Sequence, residues 1–243
     1  MIKKVLLVIP TYNESDSIRL LFNRIKNIKP ELRYSYEIDI LIVDGNSSDQ
    51  TREIAASLGS ANLKIIHQIQ KNGIGPAYKA GFEYGLEGEY SLFIQMDADL
   101  SHQPEELGKL LLASTDQNLV IGTRWISGGS VINWPRYRRL VSKLGTRYAA
   151  ILLGLKNRDL TSGFRVLPRE LLEKLDLSKI QSIGYGFQIE MALTAVRAGF
   201  QIVEVPITFI ERANGKSKMS LGIVFEAWKV VTTEGFKRIF FRR

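Results

Sequence analysis

Short apolar runs alternate, in the first half of the chain, with segments in which apolar residues recur at helical spacing. The continuous runs Val5–Ile9 and Ile38–Val43 are typical of strands buried on both faces. Similar runs predict strands at Leu63–His67, Leu92–Ile94 and Asn118–Gly122. Because strands that alternate with helices form βαβ units, the pattern predicts an α/β fold with a mainly parallel sheet flanked by helices.

The second half of the chain has a different texture. Its residue pattern predicts two long helices, at Trp134–Leu155 and Tyr185–Ala198. It also predicts a strand at Ile202–Ile210, which Pro206 interrupts. Residues 221–243 mix aromatic with basic residues and predict an amphipathic helix. We therefore predict one domain over residues 1–220, followed by a C-terminal helical extension over residues 221–243.

Polar clusters follow four of the predicted strands directly. They are Pro10–Glu14, Asp44, Lys71–Gly75 and Asp97–Asp99. Ligands of parallel sheets bind beyond the carboxyl ends of the strands. The sequence therefore predicts that the four clusters gather at one edge of the sheet and form a ligand site.

Asp97 and Asp99 form the most informative of these clusters. In an extended segment, residues two apart point the same way, so both carboxylates can face one point. Two like charges held that close resist ionisation unless a cation lies between them. Mg²⁺ or Mn²⁺ suits such oxygen ligands and commonly bridges to substrate phosphates. A solvated Asp-x-Asp turn is the alternative for an isolated pair, and the three other clusters favour the metal site.

Composition narrows the chemistry further. The chain has 243 residues, no cysteine and two histidines, so thiolate nucleophiles are absent and a histidine-rich metal site has little to be made from. The formal net charge of +8 predicts anionic partners, such as phosphorylated substrates or an acidic membrane surface. We recognise no nucleic-acid-binding motif, and therefore expect no nucleic-acid partner.

Targeting signals are not evident in the sequence. The apolar run at the N-terminus meets Glu14 and Asp16 too early for a signal peptide, and the longest later run, Tyr148–Leu155, is shorter than a membrane span. We expect a cytoplasmic protein attached peripherally to the membrane. Residues 221–243 could pack against any of three surfaces: an anionic membrane, a membrane-embedded partner subunit or the chain's own domain.

The glycines of Lys71–Gly75 give a weak phosphate-loop signal. The segment matches neither the Walker A sequence nor G-x-G-x-x-G, which disfavours a kinase or a dehydrogenase. An aspartate pair with a divalent cation, next to such a loop, suits a nucleotide diphosphate whose pyrophosphate is a leaving group.

The ordered strings PTYNE, IVDGNSSDQT, GIGPAYKAGF, MDADLSHQPEEL, GTRWISGG, WPRYRRLVS and DLTSGFR resemble the family 2 glycosyltransferases of GT-A fold. Among these, the chain looks most like the dolichol-phosphate or polyprenol-phosphate mannosyltransferases, over about Val5 to Ser220. The resemblance implies transfer of mannose from GDP-mannose to the phosphate of a polyprenol (dolichol), with inversion at the anomeric carbon.

The resemblance also assigns roles to individual residues. It implies that the donor nucleotide is held by Pro10, Tyr12, Glu14, Asp44, Asp97 and Ala98, with Asp97 and Asp99 holding Mg²⁺ or Mn²⁺. The acceptor phosphate would be received by Arg124, Arg138, Ser142 and Lys218. Asp99, Arg124 and Arg138 would carry catalysis, which is electrostatic and positional because a phosphate monoester is already anionic.

The chain departs from its relatives at two positions. Asp44 is followed by Gly45 where many relatives have a second acidic residue, which leaves base recognition open. Ser101 stands where some relatives place a metal-binding glutamine, so Gln103, His102 or water is open as the third ligand. Two other functions stay open: transfer of glucose or an N-acetylhexosamine from a UDP-sugar to the same lipids, and a nucleotide-sugar-binding subunit without turnover.

Overall fold

The computed structural model describes residues 2–212 and 221–240. In this part of the chain the strands are β1 (Lys3–Thr11), β2 (Tyr36–Asp44), β3 (Leu63–His67), β4 (Leu92–Gln95), β5 (Asn118–Thr123), β6 (Ser130–Ile132), β7 (Arg165–Pro168), β8 (Gln201–Pro206) and β9 (Thr208–Ile210). The α-helices are α1 (Ile18–Leu32), α2 (Thr51–Ser57), α3 (Ile74–Leu86), α4 (Leu107–Leu112), α5 (Arg136–Leu153), α6 (Arg169–Lys174), α7 (Tyr185–Arg197) and α8 (Leu221–Phe240). Short 3₁₀ turns lie at Pro104–Glu106 and Leu177–Lys179.

Seven strands form the central sheet, in the order β3-β2-β1-β4-β7-β5-β8. Neighbouring strands are parallel except for β7, which lies antiparallel between β4 and β5. The prediction of a mainly parallel sheet flanked by helices is therefore confirmed. The sequence analysis missed β7, because its four residues begin with Arg165, the last residue of the polar DLTSGFR string, and give too short an apolar run.

The sheet separates two apolar layers, since successive residues of each strand face opposite sides. In β1, Leu6 and Val8 face the layer that contains α3 and α7, whereas Leu7 and Ile9 face the layer that contains α1. Gly81 lets α3 approach the sheet closely, because a Cβ there would lie 2.4 Å from Val8 Cγ1. The close approach holds the N-terminus of α3 next to the carboxyl ends of β1 and β4.

The predicted strand Ile202–Ile210 is two strands in different sheets. β8 ends at Pro206, which lacks the N–H that a continuing ladder needs, and β9 pairs with β6 in a second, two-stranded sheet. The bend brings β9 behind the aspartate loop, where Ile210 N donates to Ser101 O at 3.0 Å.

The C-terminal helix α8 packs on the body of the protein. Val231 is 2% exposed within the core layer, and Arg197 Nη2 of α7 lies 2.8 Å from Glu234 Oε2. Tyr148 and Thr232 join their hydroxyl groups at 3.1 Å, which links α8 to α5. Of the three surfaces considered for the C-terminal segment, the chain's own domain thus contacts one side of the helix. None of the helices in residues 2–212 and 221–240 has the length and apolar character that a membrane crossing requires.

Candidate functional site

A cavity of about 660 Å³ lies beyond the carboxyl ends of the parallel strands. Asp97 and Asp99 form one part of its wall, named here the aspartate end, and Arg124 and Arg138 form another, named the arginine end. The remaining wall includes Pro10–Tyr12, Glu14, Lys71–Ile74, Ala98, Trp134, Thr161–Gly163, Gly184, Tyr185, Gln188, Glu211 and Arg212. Three of the four predicted clusters therefore meet at one edge of the sheet.

At the aspartate end, Asp97 is held by a tyrosine from α3. Burial, reinforced by the charge of Asp97, raises the pKa of Tyr78, so the hydroxyl stays protonated and donates to Asp97 Oδ1 at 3.3 Å. Burial also raises the pKa of Asp97, and the negative charge of Asp99 adds to this effect. A cation between the two carboxylates would relieve this repulsion.

Asp99 is fixed by the turn that follows it. The Ser101 hydroxyl donates to Asp99 Oδ1 at 2.5 Å, and Arg212 Nη2 lies 2.7 Å from Asp99 Oδ2. Burial opposes ionisation of Asp99, but these two groups outweigh it and lower its pKa. The turn passes through a left-handed conformation at Leu100, with φ of 63°, which is unusual for a branched side chain and typical of functional loops.

The residues considered as a third metal ligand are engaged elsewhere. His102 is 1% exposed, stacks on Phe164 at 5.1 Å between ring centroids, and accepts the Asp97 N–H at Nδ1 over 3.2 Å. Gln103 donates its amide to Leu100 O and Ser101 O and accepts from Arg24. Among residues 2–212 and 221–240, no cluster of three or more histidine, cysteine, aspartate or glutamate side chains could hold a metal ion. A metal held by the aspartate pair would therefore take its remaining ligands from substrate oxygens or water.

Pro10, Tyr12 and Glu14, which the sequence analysis assigned to the donor nucleotide, line the cavity at the end of β1. Lys71 Nζ lies 3.9 Å from the centroid of the Tyr12 ring, so the two predicted loops meet. Asp44 differs from this group. It is 1% exposed and accepts bonds from Thr11 Oγ1, Ser47 N and Ser47 Oγ at 3.1, 3.0 and 2.5 Å. Its carboxylate thus holds the loop behind the cavity wall, and Gly45 is the neighbour that lines the cavity.

The Lys71–Gly75 loop owes its glycine at position 73 to a close packing contact. Gly73 has φ of 95°, and a Cβ there would lie 2.7 Å from Ile183 O. Ile183 and Gly184 in turn donate their N–H groups to Glu226 of α8, at 2.7 and 3.0 Å. Helix α8 therefore supports one wall of the cavity through Ile183 and Gly184, a role that no pattern in the sequence predicted.

At the arginine end, Arg124 and Arg138 have carboxylate partners within the protein. Arg124 is 8% exposed and grips Asp159 with two bonds, Nε–Oδ2 at 2.7 Å and Nη2–Oδ1 at 2.8 Å. Arg138 Nη1 pairs with Glu211 Oε1, and its guanidinium lies 4.1 Å from the centroid of the Trp134 ring. Ser142, half-buried on α5, is not part of the described cavity wall, and Lys218 lies outside the described residues.

The DLTSGFR loop proves to be part of the site. Thr161–Gly163 line the cavity, and a Cβ on Gly163 would lie 3.4 Å from Asp97 Oδ1. Arg165, fully buried, donates to three main-chain carbonyls, Leu160 O, Ser162 O and Gln188 O, at 2.7, 2.7 and 2.8 Å. Arg165 thus holds the loop in place from within the core.

Sequence reasoning missed several residues of the cavity wall, notably Trp134, Tyr185, Gln188, Glu211 and Arg212. Trp134 lies in the recognised string WPRYRRLVS, whereas Glu211 and Arg212 lie in none of the recognised strings. Their charge pattern does not reveal which side chains turn inward.

Residues 6–176 match the family described as Glycosyl transferase family 2. The chain belongs to this family. Over 234 residues, the chain is 45% identical to an undecaprenyl-phosphate mannosyltransferase of Micrococcus luteus, covering 96% of this chain and 94% of the relative. It is 43% identical over 239 residues to a polyprenol monophosphomannose synthase of Mycolicibacterium smegmatis, covering 97% of this chain and 88% of the relative. A dolichol-phosphate mannosyltransferase of Pyrococcus furiosus is 39% identical over 228 residues, covering 92% of this chain and 61% of the relative.

The fold is also shared with solved structures. Glucosyl-3-phosphoglycerate synthase from Mycobacterium tuberculosis, in complex with Mn²⁺, UDP-glucose and phosphoglyceric acid, superposes with a TM-score of 0.71 and 18% identity. The match covers 96% of this chain and 80% of that structure. The predictions of a GT-A fold and of a family 2 glycosyltransferase that resembles the polyprenol-phosphate mannosyltransferases are confirmed.

Proposed function

We propose that this enzyme transfers mannose from GDP-mannose to a polyprenyl phosphate and so makes polyprenyl-phosphate mannose with inversion at the anomeric carbon. The observation that supports the proposal most is one cavity that joins an aspartate pair to two arginines. The names of the relatives, which at 39–45% identity are mannosyltransferases and a monophosphomannose synthase, favour the same reaction.

The aspartate end fits a divalent cation. Asp97 and Asp99 supply carboxylate oxygens, and the raised pKa of Asp97 reflects burial with a like charge nearby, which a cation would reverse. When bound, Mg²⁺ or Mn²⁺ would neutralise the diphosphate leaving group. Tyr78 and Ser101 hold the two carboxylates in place by donating to them.

In this proposal, the donor nucleotide lies along the wall formed by Pro10, Tyr12 and Glu14, with Ala98 beside the diphosphate. The sugar then faces Gly163, Tyr185 and Gln188, which also line the cavity. Gly45 lines the cavity, and in this proposal Asp44 acts indirectly by holding the loop that contains Ser47.

The arginine end would bind the acceptor phosphate. One phosphate oxygen attacks the anomeric carbon, the bond from that carbon to the diphosphate oxygen breaks, and the electron pair leaves with the nucleoside diphosphate. The acceptor oxygen is already deprotonated near neutral pH, so the residues need to orient it and balance its charge rather than remove a proton. Arg138 offers forked, permanently charged donors for this task, with Lys218 as a further cation.

A broad apolar surface suits a lipid acceptor that resides in a membrane. The outer face of α5 exposes Tyr137, Leu140, Val141, Leu144 and Ile151, and α8 beside it exposes Phe225, Trp228, Phe236, Ile239 and Phe240. Arg136, Arg139, Lys143 and Arg147 of α5 are also solvent-accessible. Aromatic and aliphatic side chains with a basic rim are typical of helices that lie in the plane of an anionic membrane surface. We propose that α5 and α8 dock there and present the arginine end to the lipid phosphate.

Incubation of the purified protein with a short polyprenyl phosphate, Mg²⁺ or Mn²⁺, and radiolabelled GDP-mannose, UDP-glucose or UDP-N-acetylglucosamine tests the proposal. We expect labelled lipid from GDP-mannose alone. Labelled lipid from a UDP-sugar instead would assign the other transfer reaction. Binding of a nucleotide sugar without any labelled lipid would identify a non-catalytic subunit.

A further inference from the structure

Two consecutive charged residues, Glu211 and Arg212, directly follow the end of β9. Both line the cavity, and each contacts a residue of opposite charge: Arg212 contacts Asp99 and Glu211 contacts Arg138. Neither residue belonged to the site predicted from the sequence. The contact with Arg138 lies where we propose that the acceptor phosphate binds.

The main chain of Glu211 is fixed. Glu211 N donates to Ile132 O at 3.1 Å, and Ile210 N donates to Ser101 O at 3.0 Å, so the residue directly follows an ordered strand and its own N–H is bonded. Its side chain is 30% exposed, and that of Arg138 is 21% exposed. Because a glutamate side chain changes rotamer without a shift of its backbone, the carboxylate can leave Arg138 while β9 stays in place.

Arg138 has unused hydrogen-bonding capacity. Glu211 engages Nη1, whereas the buried Nε has no hydrogen-bond partner within residues 2–212 and 221–240. The guanidinium carbon lies 4.1 Å from the centroid of the Trp134 ring, a cation–π contact that helps to hold the Arg138 side chain at the cavity wall. A phosphate, with three acceptor oxygens, can therefore satisfy more of Arg138 than the single carboxylate does.

Arg124 is the contrasting case. Its partner Asp159 is 0% exposed, makes two bonds to the guanidinium, and also accepts the Arg124 N–H at 3.1 Å. Leaving that pair would strand a carboxylate inside the protein, which is costly. Glu211 is partly exposed, so water can solvate it after it leaves Arg138. The exchangeable ion pair of the arginine end is therefore Arg138–Glu211.

We propose that Glu211 is an internal competitor for the acceptor phosphate. Its carboxylate occupies Arg138 until a phosphate monoester displaces it, and this raises the concentration at which any phosphate binds. The assignment of the acceptor phosphate to Arg138 rests on the proposed function. The competition itself concerns phosphate binding and is measurable without sugar transfer.

The competition has a selective consequence. Displacing Glu211 costs the same free energy for every phosphate. The dissociation constants of weakly binding soluble phosphates are therefore raised above the concentrations at which these phosphates are present, and they leave the site empty. A lipid-borne phosphate gains additional binding free energy from its apolar chain and from the membrane surface. Glu211 thus keeps the site clear for the lipid phosphate rather than altering the ratio of intrinsic affinities.

Glu211→Gln tests the proposal, because it keeps the shape of the side chain and removes its charge. Titration calorimetry without donor measures the dissociation constants of inorganic phosphate and of a short polyprenyl phosphate in detergent. We expect both constants to fall about threefold to tenfold, the range for losing one partly exposed charged competitor. The matched control is Glu173→Gln, which removes an exposed carboxylate that pairs with Arg169 on α6. It should leave both constants unchanged.

Three results would overturn the proposal: constants that do not fall in Glu211→Gln, a fall confined to the lipid phosphate, or no phosphate binding to either protein. Sugar transfer by the wild-type protein is measured separately. Tighter phosphate binding in Glu211→Gln, combined with no labelled lipid from any nucleotide sugar, would sustain the competition and contradict the proposed function. Labelled lipid with unchanged constants would do the reverse.

Discussion

At the aspartate end of the cavity, part of the arrangement is local, since the Ser101 hydroxyl donates to the Asp99 carboxylate from two residues away and His102 accepts the Asp97 N–H from five residues away. At the arginine end, Arg124 and Arg138 pair with carboxylates 35 and 73 residues away in the chain. The first arrangement follows a strand end and combines these local contacts with Tyr78 of α3 and with Arg212. The second depends on segments that are distant in the chain, namely the loop before β7 and the residue that follows β9. The difference teaches that the sheet edge and a local turn contribute to the aspartate end, whereas long-range ion pairs hold both arginines of the arginine end.

The largest effect is expected at the aspartate end. Asp99→Ala should lower kcat about 1,000-fold or more, because it removes a carboxylate from the proposed metal site and several kcal/mol of charge stabilisation with it. Metal-stimulated donor binding, measured by calorimetry with and without Mn²⁺, should be lost as well. Asp116→Ala, which removes an exposed carboxylate paired with Lys3, is the control and should retain both. Donor binding that still responds to metal in Asp99→Ala would contradict the assignment.

The buried pair of the arginine end should matter most for stability. Asp159→Asn leaves the Arg124 guanidinium buried without its counter-charge, so the free energy of unfolding should fall by about 3–5 kcal/mol. Urea denaturation followed by circular dichroism measures this change. Asp176→Asn, at an exposed carboxylate that contacts Lys179, should change it by less than about 1 kcal/mol. Equal stability of the two variants would show that Arg124 does not need Asp159.

The exchangeable arginine should affect the acceptor alone. Arg138→Ala should reduce kcat/KM for polyprenyl phosphate about 100-fold, the equivalent of a lost charged hydrogen-bonding partner, and leave the dissociation constant of GDP-mannose unchanged. Steady-state kinetics with each substrate varied in turn separates the two effects. Arg33→Ala, at an exposed arginine beside Tyr34, is the control. Equal losses for donor and acceptor would erase the division between the two ends.

The smallest of the four effects is expected outside the cavity, on the apolar face of α5. Leu140 and Leu144 are each 58% exposed, one turn apart, and replacing both with glutamate puts two charges on the face proposed to meet the membrane. Flotation with vesicles that contain anionic lipid should fall at least about tenfold, since each leucine buried in lipid contributes more than about 1 kcal/mol. Leu112→Glu, at an 81% exposed leucine on α4, should float like the wild type. Wild-type protein that stays unbound at low salt would end the proposal of peripheral attachment.

Much of the fold could be predicted because strands that are buried on both faces consist of continuous apolar runs. Val5–Ile9 is at most 1% exposed throughout, and the run identified β1 without reference to any partner strand. β7 was not predictable in this way. Its four residues are buried because β4 and β5 lie on either side of them, and that neighbourhood is a property of the folded sheet.

The site was predicted to a similar extent. The strand-end rule identified Asp97, Asp99 and the Pro10–Glu14 loop, because their position relative to the sheet follows from chain order. Asp44 follows the same rule, yet its carboxylate turns inward to Thr11 and Ser47. Main-chain position was foreseeable there, and side-chain direction was not.

The sequence by itself determined the strand–helix order, the sheet edge that carries the site, the aspartate pair and the glycosyltransferase family. These follow from local patterns of polarity and from motifs whose residues lie close together in the chain. Only the tertiary structure decided that Asp159 takes Arg124, that Glu211 takes Arg138, and that Arg212 reaches Asp99. The physical reason is that an ion pair forms wherever folding brings opposite charges within about 4 Å, and this distance is independent of their separation along the chain.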